Sequence, residues 1–299
     1  MNRVCLYALM ALHVVCSSGS YIFGKAAAVG FGDPAALTLA RALGAALIFL
    51  LGTGTLIPRP RFTPREWLQL LGFAFLLVPF NQYCFLRGLQ WTVPSHPALF
   101  YALTPLGVLT LESLLSARRP PGFKLAGVGL ALAGVILILR PWEEGETFSQ
   151  IRAGDFWIMG AVLSWMIYTV VVQPICRRHD PRTVTAWSLI IGAALMLPVA
   201  GKDLAALPLD TIPVTVWLSL AWLTVVTSVI MMQLWNLLLR NLTPVEVAIC
   251  TNAQPPVTVL LAAAMAAVGF LDRQPDLGTL FFAGMLLVLG GVLLVQLRT

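Results

Sequence analysis

Ten times along this chain an apolar stretch ends in a short polar break, and no other feature restricts the fold as much. The stretches lie at 4–29, 34–57, 67–87, 94–116, 122–140, 154–175, 182–200, 212–239, 244–268 and 277–297. Each is close to the roughly 20 residues a helix needs to cross the hydrocarbon layer. The clearest breaks are PRPRFTPRE (58–66), ARRPPGFK (117–124), PWEEGETFSQIRAGD (141–155) and CRRHDPR (176–182); the boundary between the third and fourth spans is the least marked. With 59% hydrophobic residues and 11% charged ones, the chain has too little charge to cover a water-soluble core. Backbone groups in lipid must be satisfied within the segment, so the spans are expected to be helices; the period-two alternation of a barrel strand is missing. The first run, from Val4 to about Val29, is too long for the apolar part of a cleaved signal and is followed by nine more.

The basic residues then set an orientation, because short cytoplasmic loops collect Lys and Arg. With the N-terminus inside, Arg3, Arg59, Arg61, Arg65, Arg118, Arg119, Lys124, Arg177, Arg178, Arg182, Arg240 and Arg298 fall on the cytoplasmic side. Only Lys25, Arg87, Arg140, Arg152, Lys202 and Arg273 fall outside, where the longest loop also carries Glu143, Glu144 and Glu146. Both termini are therefore expected in the cytoplasm. The pI near 9.4 is read as basic loops, not as a nucleic-acid surface. Cys5, Cys16, Cys84, Cys176 and Cys250 are scattered, with no CxxC pair, and read as small apolar residues of helices.

The second half of the chain echoes the first. NQYCFLRGLQWTVPSHPALFYALTP (81–105) aligns without a gap on MMQLWNLLLRNLTPVEVAICTNAQP (231–255), placing Pro94 over Pro244, Ala98 over Ala248 and Pro105 over Pro255. LGAALIFL (43–50) matches IGAALMLP (191–198), Asp33-Pro34 matches Asp180-Pro181, and GVILI (134–138) matches GVLLV (291–295). These matches keep their order along the chain, which chance resemblance among Leu- and Ala-rich helices does not require. The expected fold is an all-α membrane protein of two five-helix repeats, 1–146 and 147–299. An odd number of spans per repeat inverts the second against the first, an arrangement typical of secondary transporters with a solute site where the halves meet.

Polar side chains inside a membrane protein are costly and normally face a cavity or another helix. The third span offers Asn81, Gln82 and Tyr83, the fourth His96, Tyr101 and Thr104. The eighth offers Gln233, Trp235 and Asn236, and the ninth Thr251, Asn252 and Gln254. The rings of Tyr83, Tyr101, Trp165, Tyr168 and Trp235 could hold an apolar or aromatic solute and attract an ammonium group. The alternative is structural: lone amides often join helices. Trp67, Trp91, Trp142, Trp157 and Trp217, near span ends, read as interfacial anchors. Pro105 and Pro255, at corresponding mid-span positions, should kink their helices and mark the moving parts. Cys16, Ser20, Gly24 and Ala28 form a small face for close packing. Arg41, two turns into the second span, needs a partner: a set of carbonyls or an anionic solute. His13 lies near mid-depth of the first span and could titrate; a packing histidine is the alternative. Glu112 and Glu246 lie toward cytoplasmic ends, so the sequence gives no ground for proton antiport over facilitated export.

SSGSYIFGKAA (17–27), SWMIYTVVV (164–172) and the paired ALFYALTPLGVLTLESLL (98–115) and AICTNAQPPVTVLLAAAM (248–265) resemble the EamA domains of the drug/metabolite transporter superfamily, most closely bacterial exporters of amino acids, aromatic ones among them. The resemblance covers the whole chain. Two motifs depart from the family: Ser18-Gly19 replaces a Trp-Gly pair, and Ala117-Arg118 and Leu271-Asp272 replace Gly-Glu pairs. It implies a central cavity walled by spans 1–4 and 6–9, with spans 5 and 10 as scaffold. The expectation is a carrier of the bacterial inner membrane, working by alternating access and exporting small amphipathic metabolites, above all neutral or aromatic amino acids; other metabolites or drugs are the alternative cargo. No cofactor, metal or nucleic acid is called for, and a monomer is an allowed state. An enzyme would need a spaced metal-ligand set, a nucleophile with its base or a phosphate loop. His13, His96 and His179 stand in unrelated contexts, and the glycines of 127–134 lie in an apolar helix. A channel and a membrane scaffold are the remaining rivals.

Overall fold

The computed structural model describes residues 2–52, 60–92, 95–117, 119–140, 142, 153–267 and 277–297; of Ser95, His96, Leu209 and Leu297 it describes the backbone only. Ten helices are long and apolar enough to cross a membrane: α1 (Arg3–Phe31), α2 (Pro34–Leu51), α3 (Pro64–Trp91), α4 (Pro97–Ser116), α5 (Gly122–Leu139), α6 (Ala153–Arg178), α7 (Pro181–Ala205), α8 (Val214–Asn241), α9 (Pro244–Ala267) and α10 (Thr279–Gln296). Among the described residues there is no strand.

Local chemistry starts these helices in matching ways. Asp33 Oδ1 accepts from the Ala35 amide at 2.7 Å and Asp180 Oδ1 from the Arg182 amide at 2.8 Å, each just before a proline that opens the helix. One turn on, the Thr38 hydroxyl donates to Pro34 O and the Thr185 hydroxyl to Pro181 O. Thr63 with Glu66, and Thr243 with Glu246, close capping boxes at the starts of α3 and α9.

Four helices are interrupted, and they form two corresponding pairs. In α4 the helix stops at Ala102 and resumes at Thr104; in α9 a 3-10 turn over Ile249–Ala253 separates Pro244–Ala248 from Gln254–Ala267. At the positions expected to kink, the α-helical hydrogen bonding is interrupted just before Pro105 and Pro255, by one residue in α4 and by the 3-10 turn in α9. A proline has no amide to donate, and its ring obstructs the carbonyl one turn back, so the α pattern ends there. The other pair was not expected. In α3 a π-helical segment, Leu76–Gln82, contains Pro79; in α8 a longer one, Trp222–Met231, contains no proline. Pro94, which the internal match places over Pro244, lies outside the described residues.

The two halves meet in reciprocal contacts. A Cβ built on Gly134 would lie 2.5 Å from Gly284 O, and one on Gly284 would lie 2.6 Å from Gly134 O; Gly127 and Gly291 oppose each other equally tightly. Pairing of 127 with 291 and 134 with 284 means that α5 and α10 run in opposite directions. In the sequence match that puts GVILI over GVLLV, Gly134 corresponds to Gly291 and Gly127 to Gly284. Each contact therefore has its own mirror, as around a two-fold axis. The remaining helices are exchanged in the same manner. Gly44 of α2 lies against Thr224 of α8, whereas its counterpart Gly192 of α7 lies against Val78 of α3. The first helix of each half likewise packs into the other half, α1 on α8 and α9, α6 on α3 and α4.

Candidate functional site

A cavity lined by rings, apolar side chains and several polar groups opens where these exchanged helices converge. Its wall takes His13, Ser17, Ser20 and Tyr21 from α1, Arg41 from α2, Leu77, Asn81, Gln82 and Phe85 from α3, and Tyr101 from α4. Across from them stand Trp165 from α6, Thr227, Met231 and Met232 from α8, and Thr251 and Gln254 from α9. Four pairs of these residues sit 150 positions apart, the spacing of the internal match: Leu77 with Thr227, Asn81 with Met231, Gln82 with Met232, and Tyr101 with Thr251. The same places are occupied from both halves, but by amides on one side and by thioethers on the other. The two π segments carry or border most of them. By changing the helical phase they turn Asn81 and Gln82, and Thr227 and Met231, toward the common space; such segments recur at functional sites.

The wall is held by hydrogen bonds that cross between halves. Ser20 and Thr227 share a hydroxyl contact at 2.8 Å, and the Tyr21 hydroxyl donates to Gln254 Oε1 at 3.2 Å. Asn81 Nδ2 donates across to Ala161 O at 2.7 Å and, within its own half, to the Tyr101 hydroxyl at 3.4 Å. Ser164 donates to Leu76 O at 2.6 Å, at the start of the α3 π segment. Rings complete the enclosure in two groups. Tyr21, Phe85 and Tyr101 meet edge to face, their centroids 5.8–6.3 Å apart. Trp165 stacks on Tyr168 at 5.7 Å and leans on Trp235 at 4.9 Å, which in turn meets His13 at 5.0 Å.

Of the residues singled out in the sequence, Asn81, Gln82, Tyr101, Trp165, Thr251, Gln254, Arg41 and His13 line this cavity. Tyr168, Trp235 and Asn236 stand directly behind it. The Tyr168 hydroxyl donates to Asn236 Oδ1 at 3.1 Å, and Asn236 Nδ2 donates to Thr185 Oγ1 at 2.8 Å. Tyr168 and Asn236 are thereby engaged with protein. Replacing Asn236 by leucine strands the buried Tyr168 hydroxyl, while Thr185 keeps its bond to Pro181 O, and is expected to cost about 1–3 kcal/mol, seen as a lower thermal midpoint in detergent. Tyr83 turns away to meet Trp157 edge-on at 5.6 Å, and Gln233, its counterpart in α8, is also outside the wall. Adjacent helical residues point about 100° apart, so a wall built on Asn81, Gln82 and Phe85 leaves Tyr83 facing outward. Asn252 is fully buried off the cavity, with neither amide atom hydrogen-bonded. The side chain of His96 lies outside the described residues. Pro105 and Pro255 are buried behind the breaks that place Tyr101, Thr251 and Gln254.

Span 1 is expected in the wall and His13 is singled out, but Ser20 reads as part of a small packing face and Ser17 and Tyr21 are not named as wall residues. His13, Ser17, Ser20 and Tyr21 follow the 0, 4, 7, 8 spacing of one helical face, and that polar stripe was the available signal. α7, expected in the wall, is not there: Gly192 draws it against α3 instead. Glu66 Oε1, at the start of α3, accepts from His179 Nε2 at 3.0 Å, tying the α6–α7 turn to the first half well away from the cavity. The five cysteines are free.

Ten apolar helices around a ring-lined cavity that carries a few polar groups define a multi-pass membrane protein. The chain belongs to the EamA-like transporter family, whose pattern matches it twice, over residues 5–140 and 152–297. It is 27% identical over 97% of its length to an uncharacterized transporter of Archaeoglobus fulgidus, spanning 96% of that protein. An uncharacterized transporter of Bacillus subtilis is 26% identical over 60% of each chain. A protein of Escherichia coli named a probable amino-acid metabolite efflux pump is 27% identical, over 75% of this chain and 74% of that one. A solved crystal structure superimposes with a TM-score of 0.75 over 99% of this chain and 98% of its own, at 17% identity, a likeness of fold. These relatives are named as transporters and a pump, not as enzymes.

Proposed function

We propose that the chain is a carrier of the bacterial inner membrane that exports small amphipathic metabolites, neutral or aromatic amino acids first among them, by alternating access. The observation that carries this reading is the cavity itself, framed by equivalent positions from both halves at paired helix breaks. Two halves, 1–146 and 147–299, inverted against each other, offer two packings of nearly equal energy, one open to each side. Both termini then lie in the cytoplasm, as the loop charges favour. The wall suits an amphipathic cargo: Trp165, Phe85, Tyr101 and Met232 for its apolar part, Arg41, Gln82 and Asn81 for its polar end. An efflux pump for amino-acid metabolites among the relatives points to the same cargo.

The test is counterflow of labelled amino acids in liposomes holding the purified chain. A carrier concentrates label against excess unlabelled solute and saturates, with phenylalanine and leucine expected ahead of lysine and glutamate. A channel equilibrates without exchange, and a scaffold moves nothing; either result would end the carrier reading.

A further inference from the structure

Arg41 is a buried cation without an anion. It is the eighth residue of α2, about 10 Å along the axis at roughly 1.5 Å per residue, and only 4% exposed. Its Nε donates to Ser228 Oγ at 2.7 Å, and among the described residues no carboxylate pairs with it. A guanidinium presents five donors in a planar fork that matches a carboxylate, so most of that fork is left facing the cavity. Two further groups in the same wall lack partners. His13 is 1% exposed with neither ring nitrogen hydrogen-bonded, and Gln82, 3% exposed, keeps Oε1 without a donor. A buried polar group left unpaired is costly, and an unpaired charge much more so. Arg41 and Gln82, two such groups in one wall, point to a ligand that supplies what both lack: an anion for Arg41, and a donor for Gln82 Oε1. An α-amino or α-hydroxy carboxylate on an apolar body carries both.

We propose that a solute must bring its carboxylate to Arg41 before the protein can close around it, so that carboxylates are exchanged across the membrane faster than they are released. The inference rests on the reading of this cavity as a carrier's solute site. Between its two open forms a carrier passes through one shut to water on both sides. Empty, that form would strand the Arg41 charge in a medium of low dielectric; loaded, a forked ion pair neutralises it. The return of the empty protein is the slow step, and each 1.36 kcal/mol by which loading lowers that barrier is a factor of ten in rate. Excess carboxylate on the far side lets every return be a loaded one.

The experiment follows efflux of three labelled probes from liposomes containing the full chain: phenylalanine, 3-phenyllactate and phenylalaninamide. The two carboxylates should leave, the amide should not, and unlabelled phenylalanine outside should speed phenylalanine efflux roughly tenfold. In Arg41→Gln both the preference for acid over amide and the stimulation should vanish; Arg41→Lys, which keeps the charge without the fork, should retain part of each and covers the case in which the glutamine variant fails to fold. The inference is overturned if the parent moves the amide as well as the acids, if outside phenylalanine leaves the rate unchanged, or if Arg41→Gln keeps the acid preference. Efflux of the acids with no stimulation would sink the exchange mechanism and leave the carrier reading standing, whereas movement of none of the probes would overturn both.

Discussion

Gly134→Leu is expected to prevent the protein from reaching a stable, monodisperse fold in detergent. Its Cβ alone would lie 2.5 Å from Gly284 O and 2.7 Å from the Val288 amide, both backbone atoms that no rotamer change can move. α5 and α10 would have to separate along the seam where Gly127 and Gly291 also touch. Overpacking a tight core costs about 1–3 kcal/mol and occasionally more, and in lipid close van der Waals packing carries much of helix association. Alanine at 134 should already lower the thermal midpoint clearly. The control is Gly129→Ala, in the same helix, where an added Cβ meets nothing within 4 Å. Relief from glycine's backbone entropy should leave that variant neutral or slightly more stable, by up to about 1 kcal/mol. Equal effects at 129 and 134 would show that the glycine seam does not hold the two halves together.

Trp165→Ala is expected to reduce transport of an aromatic solute between about tenfold and a hundredfold, against a smaller loss for an aliphatic one. The indole lies at the centre of the ring group, stacked on Tyr168 and tilted against Trp235, with its remaining edge on the cavity. Burying an apolar side chain of this size is worth roughly 1.5–3 kcal/mol, and each 1.4 kcal/mol is a factor of ten in affinity. Truncation also leaves a void, so Trp165→Phe, which keeps a ring, separates lost contact from lost fold; it should recover most of the aromatic preference. Tyr101→Ala attacks the opposite wall, where it removes the longer of two Asn81 hydrogen bonds and opens the Tyr21–Phe85 cluster. If both alanine variants move solute at the parental rate in the liposome panel, the cavity is not the passage.

The course of the helices was legible because the solvent imposes it. In lipid a segment must be apolar over a fixed length and must bond its own backbone, so counting apolar residues located the ten helices; their described ends agree to within about four residues except that α7 runs on to Ala205, and the ends expected at 57, 94 and 268 lie outside the described residues. Asp33-Pro34, Asp180-Pro181, Pro105 and Pro255 acted as local signals for the same reason: their influence on the backbone does not depend on what packs around them. The cavity was legible only in part. Tyr83 and Asn81 are two residues apart, and composition ranks the tyrosine at least as high; which one faces inward depends on the rotation of α3.

That rotation follows from the π segments. In α3 Pro79 gives some hint of one, but in α8 nothing in Trp222–Met231 departs from an ordinary apolar helix. The extra residue per turn is stabilised by what the rest of the protein offers: Ser20 for Thr227, Arg41 for Ser228, the tight face of Gly44 for Thr224. Hydrophobic length, capping residues and proline are properties of the chain and its solvent, and they determined the ten helices, their starts and their breaks. The facing of Arg41, His13 and Gln82 onto one space was decided by tertiary packing, because a helix's phase is set by its neighbours and a single π turn re-aims every side chain beyond it.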